Sequence, residues 1–266
     1  MSLNVLTAGD GPPVLLLHGF TGTARMWSAQ VAAWSPAHRV IAPDLLGHGG
    51  SDAPVDPAAY ALERQAQTLA DLLELLEAAP ATVVGYSMGA RLALVLALEH
   101  PASVDGLILE SPSAGIRDEA DRAARRVADE RLAGEIERKG TDAFVARWEQ
   151  MPIFASHADL PDEVVSHQRA ERRRHSPAGL SASLRGAGQG VMLPLHDCLA
   201  RITVPTLVIA GERDGTGLER ARVVSASIPG ARFETIEGAG HTPHLESPEA
   251  FLGITDEFLT TSPTTA

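Results

Sequence analysis

The sequence predicts an α/β fold, in which a mostly parallel central sheet has helices on both faces and carries an inserted helical cap. Short, continuously apolar runs, such as Pro13–Leu17 and Val104–Leu109, are typical of strands that are buried on both faces. These runs alternate with helical patterns along the chain, and this alternation produces a parallel sheet covered by helices.

The domain organisation follows from the place where the alternation stops. From residue 111 to residue 194 the chain is rich in charged and helix-forming residues and poor in β-branched runs. We therefore expect residues 111–194 to form the helical cap, and residues 1–110 and 195–260 to form the core. Residues 261–266 are expected to be a disordered tail.

Composition limits the classes of function. The chain has 266 residues and a net charge of −12, which argues against a nucleic-acid partner. Its single cysteine, Cys198, excludes an intramolecular disulfide and fits a reducing compartment. The N-terminus lacks the pattern of a signal peptide, and the aliphatic run Leu92–Leu98 is too short to cross a bilayer. We expect a cytoplasmic protein without membrane insertion, cofactor or metal, either a monomer or a small homo-oligomer.

The other elements follow in chain order. A helix is predicted over Met26–Trp34 and a strand over Arg39–Ala42. Apolar residues with a helical period predict a helix over Ala61–Ala79, which Pro80 ends. The remaining predicted elements are the strand Ala81–Val84, the helix Ala90–His100, the strands Pro205–Ala210 and Arg232–Ile236, and the closing helix Glu249–Leu259.

The motif Gly85-Tyr86-Ser87-Met88-Gly89 lies between a predicted strand and a predicted helix. A G-x-S-x-G sequence in this context is typical of a nucleophile elbow, a sharp turn that exposes a serine at the end of a strand. The turn brings the residues two before and two after the serine against the flanking strand and helix, where a side chain would collide. Because both positions are glycine, Ser87 is the candidate nucleophile.

A nucleophilic serine needs a histidine to accept its proton and a carboxylate to orient that histidine. Among ten histidines, His241 alone lies in a glycine-rich loop after the last predicted strand. Asp214, which also follows a predicted strand, is the favoured acid, and Glu110 and Glu212 compete with it. For His244, three residues after His241, a structural role is favoured over a metal pair.

The order serine, acid, histidine resembles that of the α/β-hydrolase superfamily. The loops His18–Thr23 and Pro43–Ser51 also resemble loops of that superfamily. By this resemblance, the backbone N–H groups of Phe20 and Met88 form the oxyanion hole, where negative charge develops during the reaction.

Within these loops, three further polar residues are expected to be structural. The His18 side chain is expected to brace its loop, because the chemistry required there is that of the backbone. Asp44 and His48 resemble two ligands of a metal site, but a third ligand is missing, so a structural role is favoured for both.

Arg91 follows Ser87 by four residues and falls in the first turn of the predicted elbow helix. The helix dipole disfavours a cation there, and the residues that follow are mostly apolar. Binding of an anionic substrate group would explain an arginine in this place. A salt bridge to a carboxylate of the cap is the equally weighted alternative.

The chain more specifically resembles the 2-succinyl-6-hydroxy-2,4-cyclohexadiene-1-carboxylate (SHCHC) synthases of menaquinone biosynthesis, over about nine tenths of its length. The matching stretches are His18–Gly22, Gly85–Arg91, Arg122–Arg126, Trp148 with Pro152–Phe154, Gly179–Leu180, Leu184–Gly186, Gly211–Asp214, Gly240–His241 and His244–Glu246. The chain departs from the family at Ala90, where glycine is frequent, and at Gly215–Gly217, where a lysine and an aromatic residue are common.

The resemblance implies a lyase that eliminates pyruvate from a polycarboxylate precursor, SEPHCHC, by a 1,4-elimination without addition of water. It implies that Ser87, activated by His241, removes a proton from a ring carbon. The residues that it implies for substrate binding are the arginines Arg91, Arg125 and Arg174 and the aromatic residues Tyr86, Trp148 and Phe154.

Two other functions stay open from the sequence. The first is hydrolysis of a carboxylic ester or a carbon–carbon bond in an acidic substrate. The second is a non-catalytic receptor or scaffold of the same fold, which loss of a triad residue would favour, although all three are present. Without the resemblance, surface ion pairs would be the favoured interpretation of Arg125 and Arg174.

Overall fold

A computed structural model describes residues 1–261 and contains a seven-stranded sheet. The strands are β1 (Val5–Ala8), β2 (Pro13–Leu17), β3 (Arg39–Pro43), β4 (Ala81–Tyr86), β5 (Val104–Glu110), β6 (Thr206–Gly211) and β7 (Arg232–Ile236). Their order across the sheet is β1-β3-β2-β4-β5-β6-β7. Every neighbouring pair is parallel except β1 and β3, which confirms the predicted fold class.

Helices connect the strands, and three of the helices are inserted between β5 and β6. They are α1 (Ser28–Trp34), α2 (Leu62–Leu75), α3 (Met88–Glu99), α4 (Glu119–Trp148), α5 (Asp162–Arg173), α6 (Pro177–Ala187), α7 (Thr216–Ser227), α8 (Pro243–Glu246) and α9 (Pro248–Thr261). Short 3₁₀ helices lie at Ala24–Trp27, Pro57–Tyr60, Pro101–Ser103, Pro152–Asp159 and Leu199–Arg201. Within residues 1–261, no helix has the length and apolar character needed to cross a bilayer.

Both faces of the sheet are buried because the strands are apolar at consecutive positions. On strand β2, Leu15 and Leu17 join an apolar cluster with α2, α3 and α7, whereas Val14 and Leu16 join a second cluster with α1 and α9. Burying one such side chain stabilises a fold by about 1.5–3 kcal/mol. This double burial explains the continuous apolar runs in the sequence.

Strand β1 was not predicted from the sequence. It pairs antiparallel with β3 at the edge of the sheet, from Val5 opposite Pro43 to Ala8 opposite Val40. Its four residues, Val-Leu-Thr-Ala, are only partly buried, with Thr7 exposed. So short and mixed a run has no distinct period, and the pairing with β3 rather than local pattern determines its structure.

Helices α4, α5 and α6 lie between β5 and β6, and α4 and α6 pack around a separate apolar cluster. The cluster contains Ile136, Phe144 and Val145 from α4 and Leu180 and Leu184 from α6. Gly140, with φ of 79°, interrupts the helical geometry of α4 and allows the segment to bend over this cluster.

The C-terminal ends of two helices, α2 and α9, differ from the predicted ones by two or more residues. Helix α2 ends at Leu75 rather than Ala79, because Glu77 adopts a positive φ of 50° and Ala78 N donates to Leu73 O at 2.8 Å. Helix α9 continues through Thr261, whose hydroxyl donates to Glu257 O at 2.7 Å. Thr261 is therefore helical and not part of a disordered tail. The rest of that predicted tail, residues 262–266, lies outside the described residues.

Candidate active site

Ser87 lies at the turn between β4 and α3 and has φ of 52° and ψ of −102°. The two flanking glycines are sterically required. A β-carbon at Gly85 would lie 2.5 Å from Gly89 O, and one at Gly89 would lie 2.1 Å from Leu17 O. The turn thus has the nucleophile-elbow geometry that the motif predicts, and it presents the Ser87 hydroxyl at the end of the strand.

His241 lies between Ser87 and Asp214. Its Nε2 is 3.1 Å from Ser87 Oγ, and its Nδ1 is 2.9 Å and 3.0 Å from the two carboxylate oxygens of Asp214. Because the carboxylate accepts a hydrogen bond from Nδ1–H, Nε2 is free to accept the proton of the serine hydroxyl. The Asp214 side chain is almost completely buried, so this arrangement is shielded from water.

The competing acids are placed elsewhere. The carboxylate of Glu110 accepts hydrogen bonds from His244 N at 2.9 Å and from His244 Nδ1 at 2.8 Å, and both side chains are fully buried. Glu212 is exposed and accepts a hydrogen bond from Gly238 N at 3.1 Å. His244 packs against Trp27 in the interior, with ring centroids 4.6 Å apart. Geometry therefore favours Asp214 as the partner of His241.

The loop after β2 lies directly against the elbow. A β-carbon at Gly19 would lie 2.6 Å from the Tyr86 ring and 3.5 Å from Ser87 Cβ. His18 Nδ1 donates to Gly19 O at 2.8 Å, and its Nε2 accepts from Leu45 N at 2.8 Å. Burial lowers the pKa of His18 to about 4, so the neutral ring braces the loop, as the sequence analysis favoured.

Asp44 and His48 also have structural partners. Asp44 accepts hydrogen bonds from Ala24 N and Gly50 N, each at 2.8 Å. The His48 ring lies between those of His18 and His175, with centroid distances of 5.1 Å and 5.2 Å. Among residues 1–261, no group of three or more histidine, cysteine, aspartate or glutamate side chains is arranged to hold a metal ion.

His175 connects this histidine row to the helical segment between β5 and β6. Its Nε2 donates to Thr21 O at 2.8 Å, and its Nδ1 accepts from Gly49 N at 3.1 Å. Burial lowers the pKa values of both His48 and His175. Three neutral imidazoles, at residues 18, 48 and 175, thus occupy the boundary between the sheet domain and the inserted helices.

A cavity of about 420 Å³ opens above Ser87 and His241. Both predicted oxyanion residues, Phe20 and Met88, are part of its lining. Its aromatic wall consists of Phe20, Tyr86, Trp148 and Phe154. The Trp148 ring lies 5.4 Å from Phe20 and 5.7 Å from Phe154. Burial raises the pKa of Tyr86, which keeps its hydroxyl neutral.

Arg91 and Arg125 line the same cavity. Arg91 is only 6% exposed, and its Nη1 donates to the backbone carbonyl of Ala187 at 2.7 Å rather than to a carboxylate. Burial and the neighbouring Arg125 lower the pKa of Arg91 to about 10, so it stays charged at neutral pH. Arg125 Nε donates to Asp129 Oδ1 at 2.8 Å.

Arg174, which the resemblance implies for substrate binding, is not among the residues that line the cavity. Its side chain is 63% exposed, and its Nη1 lies 3.5 Å from Glu171 Oε1. Residues two apart on a helix differ by about 200° in direction, and the buried one here is Arg172. The Arg172 guanidinium lies 5.4 Å from the centroid of the Phe154 ring and 3.3 Å from Glu149.

Sequence analysis missed Arg220, a third arginine of the cavity lining. Arg220 lies on α7, three residues after Gly217, which also lines the cavity. Residues three apart share a helix face, so both face the cavity. A β-carbon at Gly217 would lie 2.1 Å from Asp214 Oδ2, which excludes any larger residue in this conformation. The signal that could have revealed Arg220 was this spacing, at the point where the chain departs from the family.

The model of the alpha/beta hydrolase fold family matches residues 12–248, and the chain belongs to that family. A Bacillus subtilis protein provisionally assigned as an SHCHC synthase is 38% identical over 257 residues, which cover 95% of this chain and 93% of that protein. The resemblance to the SHCHC synthases that the motifs predict is therefore confirmed.

Solved structures show the same relationship. MenH from S. aureus superimposes with a TM-score of 0.93 at 32% identity, covering 98% of each chain. A thermophilic esterase from Thermogutta terrifontis, solved with malate bound, superimposes with a TM-score of 0.87 at 29% identity, covering 98% of this chain and 94% of that one. The chain thus shares its fold both with MenH and with an esterase.

Proposed function

We propose that this protein is an SHCHC synthase, which eliminates pyruvate from SEPHCHC (2-succinyl-5-enolpyruvyl-6-hydroxy-3-cyclohexene-1-carboxylate). The observation that carries the proposal is a Ser-His-Asp arrangement that opens into a cavity lined by three arginines. The similarity to SHCHC synthases supports it independently. The single cysteine, Cys198, fits the reducing cytoplasm in which we place the reaction.

The positions of the double bonds define the elimination. The substrate has its ring double bond between C3 and C4, and the product has double bonds at C2 and C4. The C2–H electron pair forms the C2–C3 double bond, the former C3–C4 pair moves to C4–C5, and the C5–O bond breaks. The enolpyruvate that leaves takes up a proton and becomes pyruvate. No water is consumed, so the reaction is a lyase reaction.

The triad residues are proposed to remove the C2 proton. His241 accepts the Ser87 proton, the serine oxygen removes the proton from C2, and Asp214 stabilises the charged imidazole. Because C2 is next to the succinyl carbonyl, negative charge develops on that carbonyl oxygen. The backbone N–H groups of Phe20 and Met88 are the proposed donors to it.

Three arginines are proposed to bind the carboxylates of the substrate, which number three. A protein with a net charge of −12 repels such a ligand at long range, so attraction must come from cations inside the cavity. Arg91 and Arg125 lie on one side, and Arg220 lies on α7 near Asp214. Tyr86, Trp148 and Phe154 are proposed to enclose the ring.

Pyruvate release tests the proposal. The purified protein is incubated with SEPHCHC, generated in place from isochorismate and 2-oxoglutarate by the preceding enzyme, and pyruvate is followed with lactate dehydrogenase. We expect rapid release that Ser87→Ala abolishes. Ser227→Ala, which changes a partly exposed serine on α7, is the matched control and should retain full activity. Release no faster than the spontaneous reaction would contradict the proposal.

Hydrolysis of an ester or a carbon–carbon bond in an acidic substrate is the second candidate. The likeness to an esterase solved with malate bound favours it. An activated ester separates the two, because a hydrolase forms an acyl-enzyme and releases the alcohol in a burst. We expect little burst from an eliminating enzyme. A burst of alcohol equal to the enzyme concentration, together with no enzymatic release of pyruvate, would favour the hydrolase.

A further inference from the structure

We infer that Glu110 and Ser111, adjacent residues at the end of β5, are positioning residues that hold Ser87 and His241 at reacting distance. Neither residue belongs to the triad. Together they contact both the turn that carries the nucleophile and the loop that carries the histidine. We call this dipeptide the β5 clamp.

The first contact of the β5 clamp is with the elbow. Ser87 N donates to Glu110 O at 2.9 Å. This hydrogen bond comes directly after the pairing of β4 with β5, in which Tyr86 is opposite Glu110. This hydrogen bond therefore fixes the backbone position of the nucleophile relative to Glu110.

The second set of contacts is with the histidine loop. Ser111 Oγ donates to His241 O at 3.0 Å. The Glu110 carboxylate accepts hydrogen bonds from His244 N at 2.9 Å and from His244 Nδ1 at 2.8 Å. The segment from His241 to His244 is thus attached to the β5 clamp at both of its ends.

The burial of the Glu110–His244 pair indicates that stability alone does not explain it. Both side chains are completely buried, and the His244 ring is surrounded by Trp27, Tyr86 and Phe251, with centroids 4.6 Å, 5.1 Å and 6.0 Å away. Transferring a carboxylate into such a site costs desolvation energy that an apolar pair of similar volume would avoid. What the buried pair provides instead is a fixed direction for the loop that carries His241.

Ser111 adopts an unfavourable backbone conformation at the position where its hydroxyl contacts His241 O. Its φ is 47°, in the left-handed region that residues other than glycine rarely adopt. Its N–H donates to Ile209 O of β6 at 2.8 Å, which holds the residue in place. Glycine would fit this backbone better, but glycine has no hydroxyl to donate to His241 O.

Asp214 and the β5 clamp therefore have different tasks on one loop. Asp214 orients the His241 ring through Nδ1. The clamp fixes the backbone of the same loop relative to the nucleophile. A misplacement of about 1 Å can reduce a rate by about 100-fold. Holding the backbone of the His241 loop in place is therefore expected to affect the reaction rate.

The variant Ser111→Gly separates positioning from stability. Glycine relieves the backbone strain, so the thermal midpoint should stay the same or rise. Loss of the hydroxyl should lower kcat about 5- to 10-fold, the equivalent of one hydrogen bond, with KM unchanged. Glu77→Gly is the matched control, because Glu77 also has a positive φ of 50° but is exposed at the end of α2. That control should leave kcat unchanged.

A substrate-independent measurement accompanies it. The rate at which a fluorophosphonate labels Ser87 reports how well the serine is activated, whatever the natural substrate. We expect Ser111→Gly and Glu110→Gln to lower this rate about as much as they lower kcat. If the wild-type protein releases no pyruvate but Ser87 is labelled at a normal rate, the proposed synthase is refuted. The clamp can then still be tested by labelling. A folded Ser111→Gly protein with labelling within about 2-fold of wild type would refute the clamp.

Discussion

The sheet domain and the inserted helices contribute to the candidate site in different ways. Ser87, Asp214 and His241 come from turns at the carboxyl ends of β4, β6 and β7, where backbone geometry and buried hydrogen bonds fix them. The inserted helices instead present side chains from helix surfaces, and their outer faces are covered by ion pairs such as those of Arg185. Such a surface can change without disturbing the sheet. The turns of the sheet domain thus hold the candidate reacting groups, whereas the cavity wall is shared between the inserted helices and two arginines of the sheet domain, Arg91 and Arg220.

If this division holds, variants of the triad residues in these turns should change kcat, and variants of the cavity wall should change KM. The largest effect is expected for Asp214→Asn. The amide leaves the shape intact but no longer stabilises the imidazolium, so kcat should fall about 10³- to 10⁴-fold while KM stays the same. Steady-state pyruvate release measures both. Asp159→Asn, which changes an exposed partner of the neighbouring Arg213, is the control.

The next largest effect is expected for Arg91→Gln, at the boundary between the two regions. Removing a buried guanidinium that binds a carboxylate should raise KM about 10- to 100-fold, with a smaller change in kcat. Arg185→Gln, on the outer face of α6, should leave both constants unchanged. An equal KM for Arg91→Gln and wild type would show that this arginine does not bind substrate.

A smaller effect is expected for Arg220→Gln, which removes an exposed cation at the cavity. KM should rise about 5- to 10-fold, because a solvated ion pair contributes about 1 kcal/mol. Increasing salt should reduce the difference from wild type. Arg174→Gln is the matched comparison, since Arg174 is exposed outside the cavity and should leave KM unchanged. The reverse result would restore Arg174 as the binding residue.

The smallest effect near neutral pH concerns the histidine row between the two regions. His18, His48 and His175 have lowered pKa values in the folded protein, so the unfolded chain binds more protons as the pH falls below about 6.5. The free energy of unfolding should therefore decrease from pH 6.5 downwards, by about 1 kcal/mol at pH 5.5 from His18 alone. Urea unfolding at several pH values measures it.

A single variant sharpens that pH experiment. His175→Gln keeps a donor for Thr21 O and an acceptor for Gly49 N but does not titrate. It should flatten the loss of stability between pH 6.5 and pH 5. His167→Gln, which changes an exposed histidine on α5, is the control variant. Identical slopes for His175→Gln and wild type would exclude His175 as a source of the acid sensitivity.

The elbow and its partners were easier to predict from the sequence, because each is encoded by a local requirement. Gly85 and Gly89 are dictated by contacts below 3 Å that any side chain would make. Asp214 and His241 follow strands whose apolar runs are easy to recognise. The carboxyl ends of parallel strands lie at one edge of the sheet, so residues that directly follow such strands are expected to lie close together.

The cavity wall was harder to predict, because side-chain direction there depends on helix phase. Arg172 and Arg174 are two residues apart and differ only in which face they occupy. The charge-rich sequence of α5 has no apolar stripe that would reveal its buried face. The same holds for Arg220, whose place in the cavity lining depends on the face of α7 that it occupies. Strand β1 was missed because its partner, not its own pattern, makes it a strand.

The position of the Phe20 ring has a consequence for protein engineering. Its backbone belongs to the turn after β2, but its ring packs against Phe144 and Trp148 of the inserted segment, with centroids 6.2 Å and 5.4 Å away. A chimera that received its helices from a relative would put a new surface against this ring and would shift the turn beside the serine. Phe20 therefore has to be exchanged together with the helices, and the natural unit of recombination is the inserted segment plus one residue of the sheet domain.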